Sequence, residues 1–196
     1  MWRAELEKLA KTLQHPAWGY SHSQRVLELS LNLAKEQNHK IDTDSIVAAS
    51  FLHDVGAFKD YRIEGIDHSD RSVQLVDEIL PKISFPQEKL PIVKDIIEGH
   101  MFYKEPSSRI ESILFHDADV LDFMGFIGIT RLLSIVGLDN WTPNTQSAIE
   151  LIEKFSKELP DKLCSPLAIK MGEIRRIEMI SFLKGLSEET DELKLL

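Results

Sequence analysis

Cysteine is almost missing from this chain of 196 residues. The single Cys164 has no partner for an internal disulfide or a zinc knuckle. Stability must therefore come from a packed core, and a reducing compartment is expected. A basic surplus is missing too: 23 Lys and Arg face 32 Asp and Glu, a formal net charge of -9. That excludes the broad cationic surface that long nucleic acid requires. It leaves room for a diffusing nucleotide, because a local cationic pocket or a metal can offset a negative overall field. No apolar run approaches the length of a membrane span. The segment Met1 to Glu7 has neither the apolar core nor the small-residue cleavage site of a signal peptide. A soluble, cytoplasmic protein is expected, in which the glycosylation-like Asn140-Trp141-Thr142 has no meaning.

Alternating strand-like runs are the last absence, and what replaces them is helical spacing almost throughout. Leu6, Leu9, Ala10 and Leu13 share one face of a first helix that breaks near Pro16 and Gly19. Ser21 is expected to cap a second helix with Val26, Leu29, Ser30, Leu33 and Ala34 inward. Asp42 or Thr43 caps a third, and Val73, Val76, Ile79 and Leu80 mark a fourth that stops at Pro81. Pro86 suits the first turn of a fifth helix. Ser108-Arg109-Ile110-Glu111 reads as the capping box of a sixth. Gly125 and Gly128 permit close helix approach, Pro143 and Ser165-Pro166 open two more helices, and the last ends near Gly185, before an acidic tail expected to fray. The expectation is one all-α domain over 1–196, a helical bundle with a core at about 18–135 and a C-terminal helical extension at about 140–186.

One stretch stands out chemically. Val47-Ala48-Ala49-Ser50-Phe51-Leu52 is an apolar helix that ends in His53-Asp54, followed by Val55-Gly56. Two ionisable side chains closing an apolar segment are costly to bury unless something compensates them. A divalent metal would do so, taking an imidazole nitrogen and a carboxylate oxygen. Partners are available in His22, in the first turn of the second helix, and Asp119, inside Phe115-His116-Asp117-Ala118-Asp119-Val120-Leu121-Asp122. Two imidazoles and two carboxylates make a mixed site for Mn, Fe, Co, Ni, Zn or, less well, Mg. Positions would stay open for a water and a substrate oxygen.

The ordered set His22-x-x-Arg25-Val26, His53-Asp54 and Ala118-Asp119-x-Leu121 resembles the HD superfamily of metal-dependent phosphohydrolases. The likeness continues through Asp67-His68-Ser69-x-x-Ser72, Ile96-Ile97-x-x-His100, Gly125-x-Ile127-Gly128-Ile129-x-Arg131 and Arg176-x-x-Met179-x-x-Phe182-Leu183. These pieces look like a branch of small bacterial HD hydrolases that act on nucleotides or related phosphate esters. The resemblance implies a helical HD-domain fold with His22, His53, Asp54 and Asp119 as ligands of one divalent ion. It also implies attack of water on phosphorus, with Asp54 helping to orient or deprotonate that water. The Glu-Asp pair of the guanosine tetraphosphate hydrolases is absent, since Val55-Gly56-Ala57-Phe58-Lys59 follows His53-Asp54. The Gly-Tyr-Pro signature of the cyclic dinucleotide phosphodiesterases is absent as well.

His68 and His100 are read as contacts to substrate phosphate rather than ligands of a second metal, because no carboxylate next to His100 completes another sphere. Arg25, one helical step from His22, is suited to a bidentate grip on phosphate, against a surface ion pair with Glu28. Lys59 is a further source of positive charge, and Asp122 a substrate contact or an orienter of a ligand histidine. Arg131 and Arg176 are read as ties between helices and Asp117 as a stabiliser of its surroundings. His15, His39 and His116 are read as ordinary, Cys164 as filler, and Met101-Phe102-Tyr103 as a core or hinge cluster or a base-stacking surface. Three functions follow: hydrolysis of a nucleoside phosphate or pyrophosphate bond, a phosphodiesterase for a cyclic nucleotide or short oligonucleotide, or a non-catalytic metal-binding sensor or interaction module. The protein is expected to act as a monomer or homodimer.

Overall fold

In the computed structural model, residues 1–138 and 140–195 are described, and among them every regular element is helical. The chain divides into two compact units, Met1–Asp119 and Val120–Leu196. The division falls within a helix.

The first unit contains α1 (Trp2–Thr12), α2 (Tyr20–Glu36), α3 (Thr43–Leu52), α4 (His68–Ile79), α5 (Leu90–Glu98) and most of α6 (Ile110–Asp122). Helix α3 is its centre: α1, α2, α4 and α5 all pack on it. Every residue from Ser45 to Leu52 is buried, which explains why this helix is apolar on all sides instead of striped. Asp42 caps it, accepting the Ser45 N–H at 2.8 Å. After His53 the chain tightens into a 3-10 turn at Val55–Ala57 that packs on α4. Gly56 permits that approach, because a Cβ there would collide with the His68 carbonyl oxygen and come within 2.9 Å of the Ser72 nitrogen. Ser72 Oγ accepts the Gly56 N–H at 2.9 Å.

Several boundaries differ from expectation for local reasons. Helix α2 is entered through Gly19, and Ser21 lies exposed inside it. The preceding turn is set by His15, whose Nδ1 accepts the N–H groups of Ala17 and Trp18 while its carbonyl accepts that of Gly19. Pro86 introduces a 3-10 turn at Gln87–Lys89, and Pro91 occupies the first turn of α5 instead. The Glu111 carboxylate accepts the Asp42 N–H at 2.8 Å, so it ties α6 to the start of α3 across 69 residues.

The second unit contains the end of α6, then α7 (Gly125–Ser134), α8 (Thr145–Glu158) and α9 (Pro166–Glu189), with these last three packed on one another. Gly125 has φ +68°, and a side chain there would strike Arg175 and Glu178 on α9. Asn144, one residue beyond Pro143, caps α8 through the Ser147 N–H. Helix α9 continues past Gly185 to Glu189, since nothing near Gly185 forces a turn and its φ is not left-handed. The described part of the tail, 190–195, forms turns, with Asp191, Glu192 and Leu193 at positive φ. Among the described residues no helix is long and apolar enough to cross a membrane.

Candidate metal centre

Three segments of the first unit deliver ionisable side chains to one place. His22 comes from the first turn of α2, His53 from the C-cap of α3, Asp54 from the residue after it and Asp119 from α6. His22 Nε2 lies 3.0 Å from His53 Nε2, 3.3 Å from Asp119 Oδ1 and 3.4 Å from Asp54 Oδ2. His53 Nε2 lies 3.3 Å from Asp54 Oδ2. The four residues expected from their order in the sequence thus converge, although 97 positions separate the outermost two (119 minus 22).

His68 and His100 are brought to the other side of the same carboxylate. Asp54 Oδ1 lies 3.5 Å from His68 Nε2 and 3.8 Å from His100 Nε2. Asp54 therefore supplies the carboxylate that sequence proximity does not place beside His100. Among the described residues two groups could hold a metal ion: His22, His53 and Asp119, and Asp54, His68 and His100, the donor atoms of each lying within 4.8 Å of one another.

The donors are aimed by backbone carbonyls. Helix geometry puts His53 Nδ1 3.0 Å from the Ser50 carbonyl and His100 Nδ1 2.6 Å from that of Ile97. A carbonyl only accepts, so Nδ1 carries the proton in both rings and each Nε2 presents a lone pair to the centre, as metal-binding imidazoles do. Burial alone would raise the Asp54 carboxyl, but His53, together with His100 and His22, holds it well below the usual carboxylate range. Asp119 is likewise opposed by burial and lowered by His22, His100 and His53. Burial pushes the His100 imidazole down, and Asp54 and Asp119 more than reverse this, so it stands raised.

Two buried atoms, Asp119 Oδ1 and His100 Nε2, have no hydrogen-bond partner. Leaving such groups unmet costs on the order of 1–3 kcal/mol each. A cation among His22, His53 and Asp119 meets the need of Asp119, and the spacing suits one: ligand bonds of about 2.1 Å place neighbouring octahedral donors roughly 3 Å apart. The residues present therefore fit a divalent ion. His22, His53 and Asp119 are almost wholly buried, whereas the side chains of Asp54 and His68 are 14% and 27% exposed. The centre is open on that side alone among its donors.

The remaining expected contacts are placed differently. Arg25 is half-buried on α2, and Lys59 is exposed with its ammonium in no ion pair among the described residues. Asp122 belongs to the second unit, where its Oδ2 accepts from Arg131 Nη1 at 3.0 Å, both side chains fully buried. Arg176 pairs with Glu173 on the surface of α9, and Asp117 is buried in α6. His116 reaches the Gly99 carbonyl, and His15 stacks on Trp18 with ring centroids 3.5 Å apart. Tyr103, read from sequence as part of a core, hinge or base-stacking cluster, and Lys104, which carries no sequence signal, bind Asp67 and Ser69, on either side of His68. No sequence periodicity signals such cross-chain hydrogen bonds.

The fold has counterparts among solved structures. Bacillus subtilis YpgQ, solved in complex with ADP, matches with a TM-score of 0.71 at 22% identity, over 95% of this chain and 97% of that one. A predicted HD superfamily hydrolase from an uncultured Thermotogales bacterium matches at 0.65 and 22%, covering 96% and 90%. An HD-superfamily hydrolase from Bacillus thuringiensis matches at 0.64 and 23%, covering 96% and 98%. No curated protein matches by sequence. The family model described as the HD domain matches residues 19–124, the segment that supplies His22, His53, Asp54, His68, His100 and Asp119. With more than half its length matched and the histidine and aspartate donors converging, this chain belongs to the HD domain family.

Proposed function

We propose that this protein is a metal-dependent phosphohydrolase that cleaves a phosphate or pyrophosphate bond of a nucleotide. The observation that carries the reading is Asp54, an ionised carboxylate with one oxygen among the buried donors His22 and His53 and the other towards His68 and the exposed side. A closed structural metal site would bury every ligand, and this one does not. The match to YpgQ, a protein solved with ADP, supports a nucleotide as the substrate class.

In this reading His22, His53, Asp54 and Asp119 hold one divalent ion. When bound, the ion supplies Lewis acidity that acidifies water and offsets phosphoryl charge. Asp54 orients the attacking water and accepts its proton. His68 and His100 contact the phosphoryl group beside Asp54, and Arg25 and Lys59 add positive charge around the phosphate. The P–O bond to the leaving group breaks as the new P–O bond to water forms, and the leaving oxygen takes a proton.

Metal-loaded protein assayed against nucleoside tri-, di- and monophosphates and cyclic nucleotides tests this. Hydrolysis of a non-cyclic nucleotide is expected, lost in His53→Ala and Asp54→Ala together with bound metal. Full activity in those variants would overturn the assignment, and turnover of cyclic nucleotides alone would make the protein a phosphodiesterase. The grouping of Asp54, His68 and His100 favours a second reading, in which those three hold a second ion. Two Mn2+ per chain, falling to one in His100→Ala, would select it over the single-ion arrangement.

A further inference from the structure

We infer that Tyr103 and Lys104 form a latch that sets His68 and His100 in register on Asp54, which makes Tyr103 a positioning residue of the centre. The inference rests on the reading of His68 and His100 as working groups given above. The two histidines come from separate segments, the first turn of α4 and the loop after α5, and converge on one carboxylate oxygen. His68 is bracketed in sequence by Asp67 and Ser69. The loop that carries His100 grips both of those neighbours. Tyr103 Oη donates to Asp67 Oδ2 at 2.9 Å, and Lys104 Nζ donates to Ser69 Oγ at 2.8 Å and to Asp70 Oδ1 at 2.6 Å.

The two grips are joined, because Ser69 Oγ itself donates to Asp67 Oδ1 at 2.6 Å. Asp67 also accepts the Ser69 N–H at 2.9 Å and so caps α4. The loop is anchored at its base by His116 on the Gly99 carbonyl and at its far end by Ser107 on Asp95. At its tip, by contrast, Met101 is buried while Tyr103 is 49% exposed. A side chain that exposed contributes little to core packing, yet its hydroxyl spends its bond on the residue next to His68. It stands only three positions after His100 in the loop. The latch therefore cross-links the two segments whose imidazoles must meet.

The test is a double-mutant cycle of Tyr103→Phe with His68→Ala, read on nucleotide hydrolysis, beside nitrogen-15 spectra of the histidine rings in metal-free protein. Tyr103→Phe is expected to lower kcat/KM about tenfold, in line with the sensitivity of a site to small misplacement. It should cost nothing further in the His68→Ala background, because a positioning residue has no effect once its target is gone. The His68 and His100 ring signals should move, and those of His15 and His39 should stay. Additive losses in the cycle, or unmoved His68 and His100 signals, would overturn the latch. A wild-type protein inactive on every nucleotide would instead fail the proposed function, and the spectra would still decide the latch.

Discussion

His22 Nε2 and His53 Nε2 lie 3.0 Å apart with both side chains only 1% exposed. The His53 lone pair faces this gap, because its Nδ1 proton is spent on the Ser50 carbonyl. Two imidazoles so placed need a proton or a cation between them, and Asp119 Oδ1, 3.3 Å from His22, lacks a hydrogen bond that a cation would replace. Divalent metal should therefore stabilise the fold. At one hundred times the dissociation constant the gain is about 2.7 kcal/mol, read as a rise in Tm that chelator reverses. The affinity should fall on acidification, since protons compete for the same imidazoles. A Tm indifferent to metal and chelator would contradict this account of the centre.

Asp54→Asn keeps the shape of the side chain and removes its charge. Metal content should drop and hydrolysis should fall by a factor of 100 or more, on the order expected when a positioned acid–base group is lost. Elemental analysis of the purified variant, paired with its turnover rate, checks both parts.

Gly56→Ala forces a methyl group against the His68 carbonyl where the 3-10 turn packs on α4. Overpacking of this kind costs roughly 1–3 kcal/mol. Denaturant titration should show that loss, and activity should fall further than stability explains, because relief of the clash moves His68 away from Asp54. An Ala variant as stable as the parent would show that the contact gives way freely.

Arg131→Met strands the buried Asp122 carboxylate, whose Oδ2 accepts the guanidinium at 3.0 Å. The guanidinium also lies over the Phe123 ring, 3.9 Å from its centroid. Breaking one side of such a buried pair costs about 3–5 kcal/mol. The paired change Arg131→Met with Asp122→Leu should restore most of that, measured by thermal unfolding of each variant.

Asp67 accepts from Ser69 and Tyr103, and its carboxyl is lowered from 3.8 to about 2: burial opposes the shift, and those hydrogen bonds outweigh it. A folded-state value below the unfolded one means the contribution is complete above about pH 4 and is lost as pH falls towards 2. Asp67→Asn should lower stability at neutral pH, where the carboxylate's contribution is complete, and flatten the acid-unfolding curve across that window. A curve of unchanged steepness would show that Asp67 carries none of the acid sensitivity.

The sequence by itself determined the helical class, the buried character of α3 and the ligand candidates. Helical periodicity is local, and an apolar segment closed by His53-Asp54 shows its chemistry in ten consecutive residues. His22 and Asp119 were legible because family order survives where spacing does not. Only the tertiary structure decided that Asp54 faces two groups of donors, since that depends on α4 and the loop after α5 closing on one carboxylate from positions 68 and 100. It also decided that Asp122 pairs with Arg131, that Glu111 reaches Asp42 and that Tyr103 and Lys104 hold the two neighbours of His68. Those pairings join residues whose separation along the chain obeys no period. Their partners are chosen by how helices pack, and packing is set by the whole core and not by any one segment.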